Sequence, residues 1–96
     1  MVNRIEILEQ AIELIADDGE RSQNYGTPEE NFNRIADGWS VIFDQHVTAE
    51  QVALAMAWLK IARLVGKDSR PTLDTYTDAA AYCALAAELA NGIDLD

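Results

Sequence analysis

The chain holds a single cysteine, Cys83, so no internal disulfide can brace it. In its alanine-rich surroundings that thiol reads as a small core residue, not as a nucleophile. His46 is the sole histidine, with nothing to join it in a zinc site or in a serine–histidine–aspartate set. Five glycines are scattered as helix and turn breakers, so no glycine-rich phosphate loop is present. Cations are scarce: seven Lys and Arg stand against seventeen Asp and Glu, for a net charge of −10. A chain this acidic is repelled by nucleic-acid backbones and anionic membranes, so DNA, RNA and membranes are not expected partners. A small phosphorylated ligand in a local cationic pocket remains compatible with that charge. No apolar run approaches a membrane span and Met1–Glu6 lacks a signal-peptide layout, so a cytoplasmic location is expected.

What is present is helical pattern. Ninety-six residues, 49% apolar and 25% charged, suit one soluble domain spanning 1–96, with a core from about 4 to 91. The first helix is expected over Arg4–Ala16, with Asn3 as N-cap and Ile5, Leu8, Ile12 and Ile15 on one stripe. Thr27-Pro28-Glu29-Glu30 opens a second, which carries Phe32, Ile35, Ala36, Trp39 and Ile42–Phe43 to about Asp44. Thr48-Ala49-Glu50-Gln51 is another capping box and opens a third helix to Val65, with Gly66 as C-cap. This helix is apolar nearly all round and is expected at the centre, with Trp39 and Trp58 as core anchors. The fourth runs over about Thr72–Ala90, closed by Asn91-Gly92, and its alanines predict close helix–helix approach. The fold class is therefore all-α: a four-helix bundle-like domain with a central antiparallel helical hairpin. Between the first two helices lies a polar loop, Asp18–Gly26, of a length that is often functional in small domains.

A few polar residues interrupt the two central helices. Lys60 and Arg63 are the charges within Gln51–Val65, while Asp74, Asp78 and Tyr82 recur every four residues and so share one helix face. In an antiparallel hairpin the residues that meet have a nearly constant index sum, which sets Lys60 opposite Asp78 and Arg63 opposite Asp74. Two readings stay open. The four form ion pairs that fix helix register, or they line a pocket. In a pocket Lys60 and Arg63 would hold phosphate, and Asp74 and Asp78 would hold Mg²⁺ or a ribose hydroxyl. Arg21 and Tyr25 in the polar loop, and the Tyr82 hydroxyl, complete the candidate ligand-binding set. No catalytic residue is assigned.

In order, Glu20-Arg21 with Tyr25-Gly26, Pro28, Asn31-Phe32, Trp39, Lys60-Ile61-Ala62-Arg63, and Asp74 and Asp78 through Tyr82 resemble a family of small phage and prophage proteins of unassigned function. Its pattern is approximately D-R-x-x-x-Y-G-x-P-x-x-N-F, a tryptophan, K-x-A-R, and D-x-x-x-D-x-A-G-Y. The match covers roughly Glu20–Glu88. Glu20 replaces the first aspartate and Ala81 the glycine before Tyr82. More distantly the helix order is similar to the MazG-like all-α nucleotide pyrophosphohydrolases. Their E-E-x-x-E and E-x-x-D helices bind Mg²⁺ at a nucleotide triphosphate. Here Lys60 and Arg63 stand where the first acidic motif would be, and cations there repel a metal while suiting phosphate.

The resemblance implies a homo-oligomer in the bacterial host cytoplasm. It also implies a protein that binds a nucleotide or nucleotide signal without turnover or any required cofactor, with sequestration of a host defence signal as one purpose. The alternatives are a divergent Mg²⁺-dependent pyrophosphohydrolase, with Asp74 and Asp78 as metal ligands, and an acidic helical protein that binds a host protein.

Overall fold

A computed structural model of the chain describes residues 1–16, 26–66 and 72–90, and among these the only regular elements are four helices. They are α1 (Arg4–Ile15), α2 (Pro28–Phe43), α3 (Ala49–Val65) and α4 (Leu73–Leu89). Each begins where a side chain can satisfy the free amides of its first turn. Asn3 Oδ1 accepts from the backbone N–H groups of Ile5 and Glu6 at 2.9 and 3.0 Å. Thr27 Oγ1 accepts from Glu30 N at 3.1 Å with Pro28 at the first helical position. Thr48 and Gln51 close a reciprocal capping box at 3.1 and 2.9 Å. The Thr72 hydroxyl caps α4 through Thr75 N. Ala16, Asp44 and Ala90, expected as last helical residues, are instead the C-caps. Gly66 is the C-cap of α3 in extended geometry, φ −68°, so it does not use the left-handed freedom for which glycine is favoured there. Asn91-Gly92 lies outside the described residues.

The helices α3 and α4 form the expected antiparallel hairpin. Lys60 near the end of α3 meets Asp78 near the start of α4, while Leu85 and Leu89 pack on the cluster holding Ala49 and Val52 at the start of α3. The seam is made of small residues. Ala49, Ala53 and Ala57 recur every four positions along α3 and all are buried, as are Thr77 and Ala81 on α4. Short side chains let the two backbones approach, which is how an alanine-dominated pair gains dispersion contact without large residues. Onto this pair α2 lays Phe32 and Ala36, with Ile35 and Trp39 partly buried beside them. The Phe32 ring meets Tyr82 of α4 edge-on at 6.3 Å, and Trp39 meets Phe43 at 6.4 Å.

The turn from α2 to α3 is held from within. The Ser40 hydroxyl donates to Ala36 O at 2.8 Å and accepts from Val47 N at 2.9 Å. Asp44 takes the left-handed conformation, φ 51° and ψ 43°, which aspartate tolerates better than most residues. The first helix, α1, packs against α4.

Three expectations are corrected. The α1 stripe does not face the core: Ala11 is buried and Ile15 half-buried, but Ile5, Leu8 and Ile12 are exposed. Its apolar residues spread over about half the circumference, wider than one neighbouring helix can cover. Trp58 is not a core anchor, since 66% of it is exposed on the side of α3 turned away from α4. Cys83 is likewise an exposed thiol and not a core residue. The third helix does contact both α2 and α4, yet an entire apolar face of it is left uncovered. Among the described residues nine apolar ones are buried, and seven of these are alanines, the others being Phe32 and Val52.

Candidate functional site

The candidate site is built at the end of the hairpin where α3 finishes and α4 begins. Lys60 Nζ lies 2.9 Å from Asp78 Oδ2, with 17% and 30% of the two side chains exposed. This is the ion pair found among the described residues, and it joins the K-x-A-R segment to the D-x-x-x-D segment. Helix geometry explains why Lys60 and Asp78 meet while Arg63 and Asp74 do not. Three residues beyond Lys60, Arg63 is rotated about 60° off the seam, and Asp74, four before Asp78, about 40° off it. Both are exposed, and among the described residues no ion pair joins them, so the expected Arg63–Asp74 pairing is absent.

Tyr82 is half-buried one turn beyond Asp78, on the side facing α2, where its ring packs on Phe32. Its ring is thus part of the core. Arg21 and Tyr25 lie outside the described residues. Gly26, which follows Tyr25, has φ +81°, so a turn at this point requires glycine. A Cβ there would stand 2.8 Å from Glu30 Oε2.

One buried polar residue escaped the sequence reading. Among the described residues Thr77, with 2% exposure, and Val52 are the largest fully buried side chains. The Thr77 hydroxyl donates to Asp74 O within α4 at 3.0 Å, which satisfies it without a partner helix. The signal that could have found it is its spacing, four residues before Ala81 on the seam. Ala81 is buried in that seam too, so the methyl that replaces the pattern's glycine fills space between the helices and does not border solvent.

As a metal centre the arrangement is poor. Among the described residues no group of three or more His, Cys, Asp or Glu side chains converges. One of the two candidate carboxylates already faces the Lys60 ammonium, so the described residues do not fit a Mg²⁺ site unless that lysine moves. Among the described residues no helix is long and apolar enough to cross a membrane.

Comparison with known proteins places these residues in a phage context. The chain is 42% identical over 76 residues to the Gene 55 protein of Mycobacterium phage D29, covering 79% of this chain and 48% of that one. It is 40% identical over 81 residues to the Gene 55 protein of Mycobacterium phage L5, covering 82% and 49%. It therefore spans about half the length of the curated relatives it matches. No solved structure matches it. A family model, domain of unknown function DUF6378, matches residues 6–90, so the Lys60–Asp78 pair and the hairpin carrying it lie wholly inside the shared region, and the chain belongs to the DUF6378 family.

Proposed function

We propose that this phage-type chain binds a small phosphorylated ligand, a nucleotide or nucleotide-derived signal, without turning it over. The observation that carries the reading is the end of the hairpin where α3 finishes and α4 begins. There Lys60 is held by Asp78, while the Arg63 guanidinium and the Asp74 carboxylate stand exposed one turn on. The ion pair fixes the lysine at small entropic cost and leaves its remaining protons free to donate. The arginine offers a planar fork to phosphate oxygens, and Asp74 can accept from a sugar hydroxyl. Arg21 and Tyr25 complete the set in this reading, and Tyr82 acts by anchoring the face on which Asp78 sits. Sequestration of a host signal in the bacterial cytoplasm would suit a phage product of this kind. A distant MazG-like ancestry agrees with the helix order, and the cation at the metal position favours holding phosphate over hydrolysing it.

The test is a thermal-shift screen of the purified protein against linear and cyclic nucleotides, each with and without Mg²⁺. Metal-independent stabilisation, intact ligand afterwards, and loss of the shift in Arg63→Ala are the expected results, since a ligand of the folded state raises its stability. Stabilisation that needs Mg²⁺, with monophosphate recovered, would instead establish a pyrophosphohydrolase. No shift with any nucleotide would sink the proposal.

A further inference from the structure

We infer that the outward face of α3 is the seam on which a second copy of this chain docks. Leu54, Trp58 and Val65 are exposed along it, with Ile61 half-buried between them. Their 4-3-4 spacing is that of a coiled-coil seam. Ala55, Leu59 and Ala62 widen the face, and Gln51 is its polar member, so no charge interrupts it.

Area and charge both point to a second copy. The exposed parts of Leu54, Trp58, Leu59 and Val65 leave on the order of 500 Å² of apolar side chain in water, toward the upper end of what a monomer shows as its largest patch. Two copies joined there would bury about 1,000 Å² from these side chains alone, the threshold for a specific interface. The core has little to spare for a solitary protomer, since most of its buried apolar residues are alanine.

Charge disfavours the other exposed apolar faces, including Val41, Ile42 and Phe43 at the end of α2, which lie between Asp37 and Asp44. The exposed α1 stripe is bordered by Glu6, Glu9 and Glu13, α2 carries Glu29, Glu30 and Asp37, and α4 carries Asp74, Asp78 and Glu88 with no cation. Of the four helices α3 alone has more cations than acids, Lys60 and Arg63 against Glu50. In a chain of net charge −10 it is the helix along which two copies meet without opposing their carboxylates. A self-complementary patch used twice gives a closed two-fold dimer.

Sedimentation velocity on the full chain across a wide concentration range tests this, with Trp58→Glu and Leu54→Lys beside the wild type. The wild type should sediment at twice the 10.6 kDa protomer mass. Each variant should keep its helical circular dichroism while its dimer dissociation constant rises at least about thirtyfold, as for a central tryptophan anchor. In a Trp39→Phe background, Trp58 fluorescence should shift to shorter wavelength as concentration rises. That readout needs no charged variant to fold. A wild type that stays monomeric into the hundreds of micromolar, with Trp58 emission unchanged, would overturn the inference. So would a dimer that survives both substitutions in folded protein, because its seam would lie elsewhere.

Discussion

Replacing Lys60 by Met and Asp78 by Leu, singly and together, asks what the ion pair at the hairpin end is worth. At 2.9 Å the bare attraction of two unit charges is about 6 kcal/mol at an effective dielectric of 20 and about 1.5 kcal/mol in bulk water. The pair is half-buried, so partial desolvation of both groups offsets much of the larger figure. A coupling energy of about 1 kcal/mol is expected, at the top of the range for exposed pairs and well below the loss from breaking a fully buried one. Each single variant leaves the other group half-buried without its partner and should lose about 1–2 kcal/mol. The double variant gains apolar contact across the seam and should lose less than the two singles combined. For 96 residues an unfolding entropy of about 0.2 kcal/mol per kelvin turns 1 kcal/mol into about 5 °C of Tm. Denaturant titration of all four proteins closes the cycle. Additive losses, meaning no coupling, would refute the geometric argument that Lys60 and Asp78 act as a unit. A double variant that folds like wild type but no longer responds to nucleotide would assign the pair to ligand binding over stability.

Other substitutions probe the frame around the site. Gly26→Ala should cost about 1–2 kcal/mol in chemical denaturation, because φ +81° is strained for alanine and the added methyl meets Glu30. Gly38→Ala should stabilise by about 0.5–1 kcal/mol, since a Cβ there meets nothing within 4 Å and α2 gains helix propensity. A loss instead would show that something approaches α2 closely at that point in the assembled protein. Thr77→Val should change stability by less than about 0.5 kcal/mol, since the lost hydrogen bond lies within one helix and shape is kept, whereas Thr77→Leu should cost about 1–3 kcal/mol by forcing the seam apart.

The helices were legible because their starts are chemical statements. Asn3, Thr27-Pro28 and the Thr48/Gln51 box each name the residue at which a helix begins, and the alanine spacing of α3 and α4 announces a tight antiparallel pair. The register followed from that pairing and put Lys60 on Asp78. What periodicity could not say is which apolar residues find a neighbour. Leu8, Ile12 and Trp58 sit on faithful helical stripes, and the pattern is the same whether the covering surface belongs to this chain or to another. Arg63 and Asp74 failed for a finer reason. A constant index sum describes distance along the hairpin and ignores rotation about each axis, which carries both side chains out of the seam. The motif residues Phe32 and Tyr82 stand fifty positions apart, one on the α2 stripe and one beyond the Asp74–Asp78 face, and only the fold brings their rings together.

The two proposals made for α3 use different sides of it, and this makes them separable. Trp58 and Lys60 are two residues apart, about 200° around the helix, and Arg63 lies about 140° from Trp58. A charge placed at Trp58 therefore breaks the seam from a position remote from the phosphate-facing side. If nucleotide response depends on one protomer alone, Trp58→Glu abolishes dimerisation and leaves the ligand-induced shift per protomer in place. If the shift disappears with the dimer while circular dichroism stays helical, the second copy supplies part of the site. The missing groups would then be sought across the interface, beyond the hairpin of a single chain. A reciprocal outcome follows from linkage: a ligand that binds the dimer better than the protomer must tighten the dimer by the same factor. Sedimentation with and without nucleotide would read that factor directly, and Arg63→Ala, which leaves the apolar seam untouched, should abolish it while preserving the unliganded dimer.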